Sequence, residues 1–240
     1  MQRMPARGQA DLHLHTRFSD GWPEPERLVD HVARRTDLDL IAVTDHDTIE
    51  GALRAAAHAD RRRGRRLGVV VGEEVSSRDG HVVGLFLERR VRPGMSAAAT
   101  VEAIHAQGGL AFAPHPFWRT TRQVRGRGPV HGVGWLAAEL DFDGIEVANA
   151  TPGFYVFNQL ARRLNLGLGA AELGSSDAHI VDAVGRARTS FPGRTPAALR
   201  AAIESRATRA LRRPYGPVAL VRYAAWGLNH QRTGYVAAAR

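Results

Sequence analysis

Apolar residues recur along the chain with two different spacings. Short β-branched runs have the period of a strand, and the segments between them have the period of an amphipathic helix. This alternation predicts an α/β fold. Strands are predicted over residues 10–15, 40–44, 67–75, 81–87, 110–113, 144–148 and 168–175. Helices are predicted over residues 24–35, 48–63, 96–107, 154–164 and 196–205.

Two further segments lack this alternation. Residues 119–134 are rich in Gly and Arg without an apolar period, which predicts a long loop and a candidate cover over a substrate. The apolar stretch 218–228 predicts a terminal helix packed on the body of the protein or on a partner. A β/α barrel and an open sheet both fit the alternation, and both gather reactive groups at the carboxyl ends of parallel strands.

Polar residues that can bind metal ions cluster around the ends of the predicted strands. Side chains alternate along a strand, so His13 and His15 project from one face and can bind one ion. Imidazole suits zinc or iron, and carboxylate suits manganese or magnesium and can bridge two ions. So many ligands imply two or three ions. The candidates at strand ends are His13, His15, Asp45, His46, Glu74, His81, His115, Asp177 and His179.

Each motif also has an ordinary structural explanation. Asp47 precedes a predicted helix, and we predict that it caps that helix. His115 before a proline could form a turn, and Asp177 could cap a helix. Together the motifs favour one site, because unrelated polar clusters have no common reason to stand at successive strand ends. The histidines expected to be structural or exposed are His31, His58, His105, His131 and His230.

Composition narrows the function classes. The chain has no cysteine, so thiolate metal sites and disulfides are excluded. No segment resembles a signal peptide or approaches the roughly 20 apolar residues of a membrane span, so we expect a cytoplasmic protein without a membrane partner. The net charge is +9 and every basic residue is Arg, which favours phosphate-bearing substrates or merely a solvated basic surface.

The motifs in sequence order resemble those of the PHP (polymerase and histidinol phosphatase) domain family. The residues that carry the resemblance are the run 11–16, Ser19-Asp20-Gly21, Thr44-Asp45-His46-Asp47, Gly72-Glu73-Glu74-Val75-Ser76, His115-Pro116 and Ser176-Asp177-Ala178-His179. The resemblance implies a PHP domain over residues 1–211, a distorted seven-stranded (β/α)7 barrel. The predicted helical tail over residues 212–240 lies outside the resemblance. The resemblance is greatest to stand-alone members that act on nucleotides and short RNA, such as nucleoside 3′,5′-bisphosphate phosphatases and 5′-3′ exoribonucleases.

The family also implies a trinuclear site of manganese, zinc or iron. One ion would use His13, His15, Glu74 and Asp177, and Glu74 would bridge to a second ion held by His115 and His81. The third ion would use Asp20, His46 and His179. Asp20 stands where other members have His, and the Gly-x-Glu-Val-Ser pattern selects Glu74 over Glu73.

The expected chemistry is in-line attack on phosphorus by a metal-bridged hydroxide. Asp45 would orient a ligand, and Arg119, Arg122 and Arg186 are candidates for binding the phosphate, with Glu74 as the central carboxylate. The alternatives are hydrolysis of another small ester, such as histidinol phosphate or a sugar phosphate, hydrolysis of an amide, and a non-catalytic nucleic-acid-binding module stabilised by metal. The sequence leaves the oligomeric state open.

Overall fold

A computed structural model of the chain describes residues 6–64, 66–118 and 131–233. The strands are β1 (Arg7–Asp11), β2 (Leu40–Val43), β3 (Gly68–Ser76), β4 (His81–Leu85), β5 (Leu110–Ala113), β6 (Gly144–Asn149), β7 (Ala171–Ser175), β8 (Ala187–Pro192) and β9 (Arg209–Arg212). The helices are α1 (Pro25–Arg35), α2 (Glu50–Arg61), α3 (Ala97–His105), α4 (Leu136–Glu139), α5 (Tyr155–Leu168), α6 (Pro196–Glu204) and α7 (Pro217–Thr233), with a short 3-10 turn at Val181–Ala183.

The strands form one mixed sheet in the order β7-β6-β5-β4-β3-β2-β1-β8-β9. Strands β1 to β3 are parallel, as are β5 to β7, while β4 is antiparallel to both of its neighbours. Strand β8 pairs antiparallel with β1 and with β9. The sheet curls into a nearly closed barrel, which confirms the predicted distorted α/β barrel and decides against the open sheet.

The barrel closes where β7 approaches β8 and β1. The Gly174 amide donates to the Thr189 hydroxyl at 3.0 Å, and that hydroxyl donates to the Gly174 carbonyl at 2.9 Å. Beyond the strand ends, the His15 amide donates to the Ala178 carbonyl at 3.0 Å, and the Ala178 amide donates to the His13 carbonyl. This second closure places the histidines that follow β1 beside the segment that follows β7.

An apolar layer fills the barrel beneath these ends. Leu12, Phe112, Leu173 and Phe191 are fully buried within one hydrophobic cluster. The edge of the Phe112 ring faces the imidazole of His13, with 6.4 Å between centroids. Close packing of this kind leaves little freedom for the residues above it, so the layer is a rigid floor for the polar groups.

Some predicted elements differ from the observed ones. Strand β1 ends at Asp11, and residues 13–15 continue it only through an isolated bridge between Leu14 and Ala178. Helix α5 runs to Leu168, where the prediction had begun a strand, and Gly169 ends it in the left-handed conformation with φ of 63°. The prediction that Asp47 caps α2 is wrong, because its Oδ1 accepts from the Ser76 amide at 2.7 Å and the helix begins at Glu50.

Strands β8 and β9 and helix α4 were not predicted. Helix α7 spans the stretch 218–228 that was predicted to be a terminal helix and extends beyond it at both ends. The division into a domain of residues 1–211 and a tail of residues 212–240 stays a prediction. Within the described residues, every helix is too short or too polar to cross a lipid bilayer.

Candidate metal centre

The residues predicted to bind metal meet in one place at the barrel end. In each of four overlapping groups, the potential ligand atoms lie within 4.8 Å of one another. The groups are His15, Asp20, His46 and His179; His13, His15 and Glu74; His13, His115 and Asp177; and His46, Glu74 and His81. Every predicted metal ligand therefore belongs to at least one group.

Glu74 lies at the centre of the cluster. It sits near the end of β3, where a backbone bridge aligns it with His46 on the neighbouring chain segment. Each of its carboxylate oxygens lies close to several imidazoles. The five ring nitrogens within 2.7 to 3.3 Å of these oxygens belong to His13, His15, His46, His81 and His115.

The ring nitrogens in this cluster have the surroundings expected of metal ligands. Nε2 of His13, Nε2 of His15 and Nδ1 of His81 are buried and have no hydrogen-bond partner among the described residues. Buried polar atoms are ordinarily satisfied, so such atoms need an explanation. All three point toward carboxylate oxygens of Glu74 without hydrogen-bond geometry, which fits shared coordination of cations. The donor set of imidazole and carboxylate therefore fits divalent first-row ions.

The electrostatics of the cluster keep its carboxylates ionised. Burial alone would raise the pKa of the Glu74 carboxyl, but the imidazoles of His81, His46 and His13 lower this pKa well below its usual value. The pKa of Asp177 is likewise lowered, against the effect of burial, chiefly by His13. A carboxyl group must be ionised to bind a metal cation.

A second layer of residues orients these ligands, and its central member, Glu146, was not predicted. Oε1 of Glu146 lies 3.2 Å from Nδ1 of His13, and its Oε2 accepts from the His115 amide at 2.7 Å. Asn149 donates to the same Oε2 at 2.9 Å and to Oδ2 of Asp177 at 3.2 Å. The available signal was a Glu within the apolar strand β6, where an unpaired charge would be costly.

Asp45 is linked to the site through Thr16 and Ser19. Its carboxylate accepts from the Thr16 amide at 2.7 Å and from the Ser19 hydroxyl at 2.6 Å. The Ser19 hydroxyl lies 3.3 Å from Nδ1 of His15. Asp45 thus holds the turn after β1 and, through Ser19, contacts the His15 ring; its role in orienting a metal ligand stays a prediction.

Asp11 fixes the segment that carries Asp177 and His179. Its buried carboxylate accepts from the Ser176 amide at 2.9 Å, the Ser176 hydroxyl at 2.6 Å and the Gly185 amide at 2.7 Å. Burial raises the pKa of this carboxyl to about 6. Asp11 opens the run 11–16 that carries the family resemblance, but no role was predicted for it.

Backbone strain is concentrated around the cluster. His115 and Asp177 have φ values of 27° and 52°, and Asp47, next to His46, has a φ of 54°. Residues other than Gly rarely adopt this left-handed region, and the cost is of order 1 kcal/mol or more. The fold keeps these side chains in place although their backbone conformation costs free energy, which is common at functional sites.

The predicted arginines are less closely linked to the cluster. Arg186 donates to the backbone carbonyls of Asp182 and Pro214, at 3.4 and 3.3 Å, and its role in binding phosphate stays a prediction. Arg119 and Arg122 lie outside the described residues. Two of the histidines expected to be structural pair elsewhere: His58 with Asp30 and His105 with Asp143.

Comparison with known proteins agrees with the motifs. A family model described as the PHP domain matches residues 11–113, and one described as PHP-associated matches residues 157–208. An uncharacterized protein of Methanocaldococcus jannaschii is 32% identical over 166 residues, which is 64% of this chain and 88% of that protein.

Relatives with a named activity match shorter segments. A 3′,5′-nucleoside bisphosphate phosphatase of Chromobacterium violaceum is 42% identical over 82 residues, which is 32% of this chain. The match spans only 27% of that enzyme's length. Among solved structures, a two-domain protein from Bacteroides vulgatus containing a PHP-like metal-dependent phosphoesterase superimposes with a TM-score of 0.70 at 21% identity, covering 89% of this chain and 70% of the other. This last likeness bears on the fold alone.

Proposed function

The chain belongs to the PHP domain family of metal-dependent phosphoesterases, and we propose that it hydrolyses phosphate esters of nucleotides or short RNA. The observation that carries the proposal is the convergence of buried imidazole nitrogens on the two carboxylate oxygens of Glu74. Such a site fits two or three manganese, zinc or iron ions, and we assign these ions to the cluster around Glu74.

The residues of this chain divide the work between holding and orienting. When bound, divalent ions lower the pKa of a nearby water and neutralise charge on phosphoryl oxygens. Glu74 and Asp177 supply the negative charge that such ions require. Glu146 orients the ring of His13 at Nδ1, and Asp45 orients the ring of His15 through the Ser19 hydroxyl, as outer partners of metal ligands commonly do.

Nucleotides or short RNA are the proposed substrates for three reasons. One relative is named as a nucleoside bisphosphate phosphatase. The net charge of +9 attracts polyanions. Trp118 is partly exposed, with its ring centroid 5.5 Å from that of His115 and 5.2 Å from that of Phe154, where a base could stack beside the cluster.

The test is phosphate release by manganese-loaded protein from nucleotides, sugar phosphates and short RNAs. We expect His15→Ala to lose on the order of 100-fold or more of the activity, because it removes a ligand shared by two groups of the cluster. His58→Ala is the matched control, since His58 pairs with Asp30 on the surface helices. Equal activity of His15→Ala and the wild type would refute the proposed site.

The substrate panel also separates the alternatives. Turnover of histidinol phosphate or sugar phosphates, with none of nucleotides or RNA, would keep the site and replace the substrate. Salt-sensitive RNA binding without turnover of any ester would instead indicate a non-catalytic binding module.

A further inference from the structure

Helix α7 contacts the candidate metal centre through the side chain of Trp226. The indole of Trp226 packs against the imidazole of His179, with 4.2 Å between ring centroids and an angle of 40° between the planes. Its Nε1–H donates to the backbone carbonyl of Asp20 at 2.8 Å. Nε2 of His179 lies 3.2 Å from Oδ1 of Asp20, so Trp226 contacts both members of this ligand pair.

A second side chain of α7 lies beside the first. Tyr223 is partly buried and packs against the hydrophobic cluster that contains Trp226 and Ala178, the residue between Asp177 and His179. The rings of Tyr223 and Trp226 pack together, with 5.3 Å between centroids. One face of the helix, with Tyr223 and Trp226, therefore lies against the surroundings of two candidate ligands, Asp20 and His179.

The rest of α7 is largely exposed. Val218 and Val221 are 62% and 70% exposed, whereas Trp226 is 9% exposed. Arg222 anchors the helix by donating to both carboxylate oxygens of Asp182 at 2.8 Å, in the 3-10 turn that follows His179. The helix is therefore held by the 3-10 turn after His179 and by the hydrophobic cluster that Trp226 joins with Ala178 and Ile180.

We propose that α7 is a positioning element of the metal centre, in which Trp226 fixes His179 and the Asp20 turn in the geometry that binds a cation. This inference rests on the proposed function only in that it assumes cation binding at the cluster. An indole against one face of the ring restricts its rotation, and the bond to the Asp20 carbonyl fixes the turn that carries the carboxylate. Preorganised ligands bind metal more tightly because less conformational freedom is lost on binding.

The test compares Mn²⁺ binding to metal-depleted full-length variants by titration calorimetry. We expect Trp226→Ala to weaken the binding of at least one ion by about 10-fold or more, the range seen when outer partners of metal ligands are removed. Trp226→Phe keeps a ring against His179 but loses the Nε1–H donor, so its affinity should be intermediate. Val221→Ala, on the exposed face of the same helix, is the matched control and should bind like the wild type.

A fluorescence measurement keeps the test informative if Trp226→Ala fails to fold. Co²⁺ quenches indoles close to it, and we expect the wild type to lose an emission component on Co²⁺ addition that is missing from Trp226→Phe. Absence of Mn²⁺ binding to the wild type would reject the proposed function itself. Binding to the wild type with equal affinity in both Trp226 variants, or equal quenching in Trp226→Phe, would overturn the positioning role alone.

Discussion

At the residue scale, the buried carboxylate of Glu146 is stabilised by the same groups that it orients. Its carboxylate spans Nδ1 of His13, the His115 amide and the Asn149 side chain, and none of its surface is exposed. A buried charge with several donors is tolerated, but removing the charge disturbs every partner at once. The residue therefore joins two ligands of the cluster into one unit.

Glu146→Gln should separate this orienting role from general stability. If the amide nitrogen takes the place of Oε2, it faces two donors, the His115 amide and the Asn149 side chain. In either orientation of the amide, His13 loses its negative partner. We expect metal affinity to fall by about 10- to 100-fold, measured by competition with a chelator. Glu139→Gln, on the exposed end of α4, is the control. Unchanged affinity in Glu146→Gln would show that His13 needs no such partner.

At the element scale, the strands that could be predicted are those whose pattern is local. Strands β2 and β5 are fully buried apolar runs, and their predicted positions agree with the structure within a residue. Strand β8 was missed because it buries polar residues whose partners are distant in sequence: Arg188 pairs with Asp37, and Thr189 with Gly174. Strand β9 was missed because it is largely exposed.

The same contrast holds within the candidate site. His13, His46 and Asp177 could be selected because they lie near the end of predicted strands or just after them, and the carboxyl ends of parallel strands meet at one edge. Glu146 lies inside a strand and Trp226 in a terminal helix, so neither position marks the site. Their roles depend on contacts with His13 and His179 that only the folded chain creates.

Barrel closure at Thr189 gives a test at this scale. Thr189→Val keeps the side-chain volume but leaves the Gly174 amide and carbonyl without this buried partner. We expect the free energy of unfolding to fall by about 2 kcal/mol, measured by urea denaturation. Thr208→Val is the control, because the buried Thr208 hydroxyl has no hydrogen-bond partner among the described residues and its loss should cost little. Equal effects of the two substitutions would argue against closure through Thr189.

At the scale of the whole molecule, the cluster joins segments that lie far apart in the sequence. Its members follow, end or begin β1, β2, β3, β4, β5 and β7, so bound ions would connect the barrel across its open end. Strained backbone at His115 and Asp177 costs free energy in this arrangement, and metal–ligand contacts would offset that cost. Cation binding should therefore raise the free energy of unfolding of the whole domain, with or without substrate.

Thermal unfolding of metal-depleted protein measures this coupling. At an ion concentration about 100 times the dissociation constant, binding to the native state adds about 2.7 kcal/mol, which raises the Tm of a domain of this size by roughly 5–10 °C. Mn²⁺ and Zn²⁺ should produce this shift, and Ca²⁺, which prefers oxygen ligands, should produce little. His15→Ala should reduce the shift because it removes a ligand from two groups of the cluster. An identical shift in His15→Ala would place the stabilising ions elsewhere on the protein. A cation bound at this cluster should bind more weakly without His15, because Nε2 of His15 lies 3.3 Å from Oε2 of Glu74.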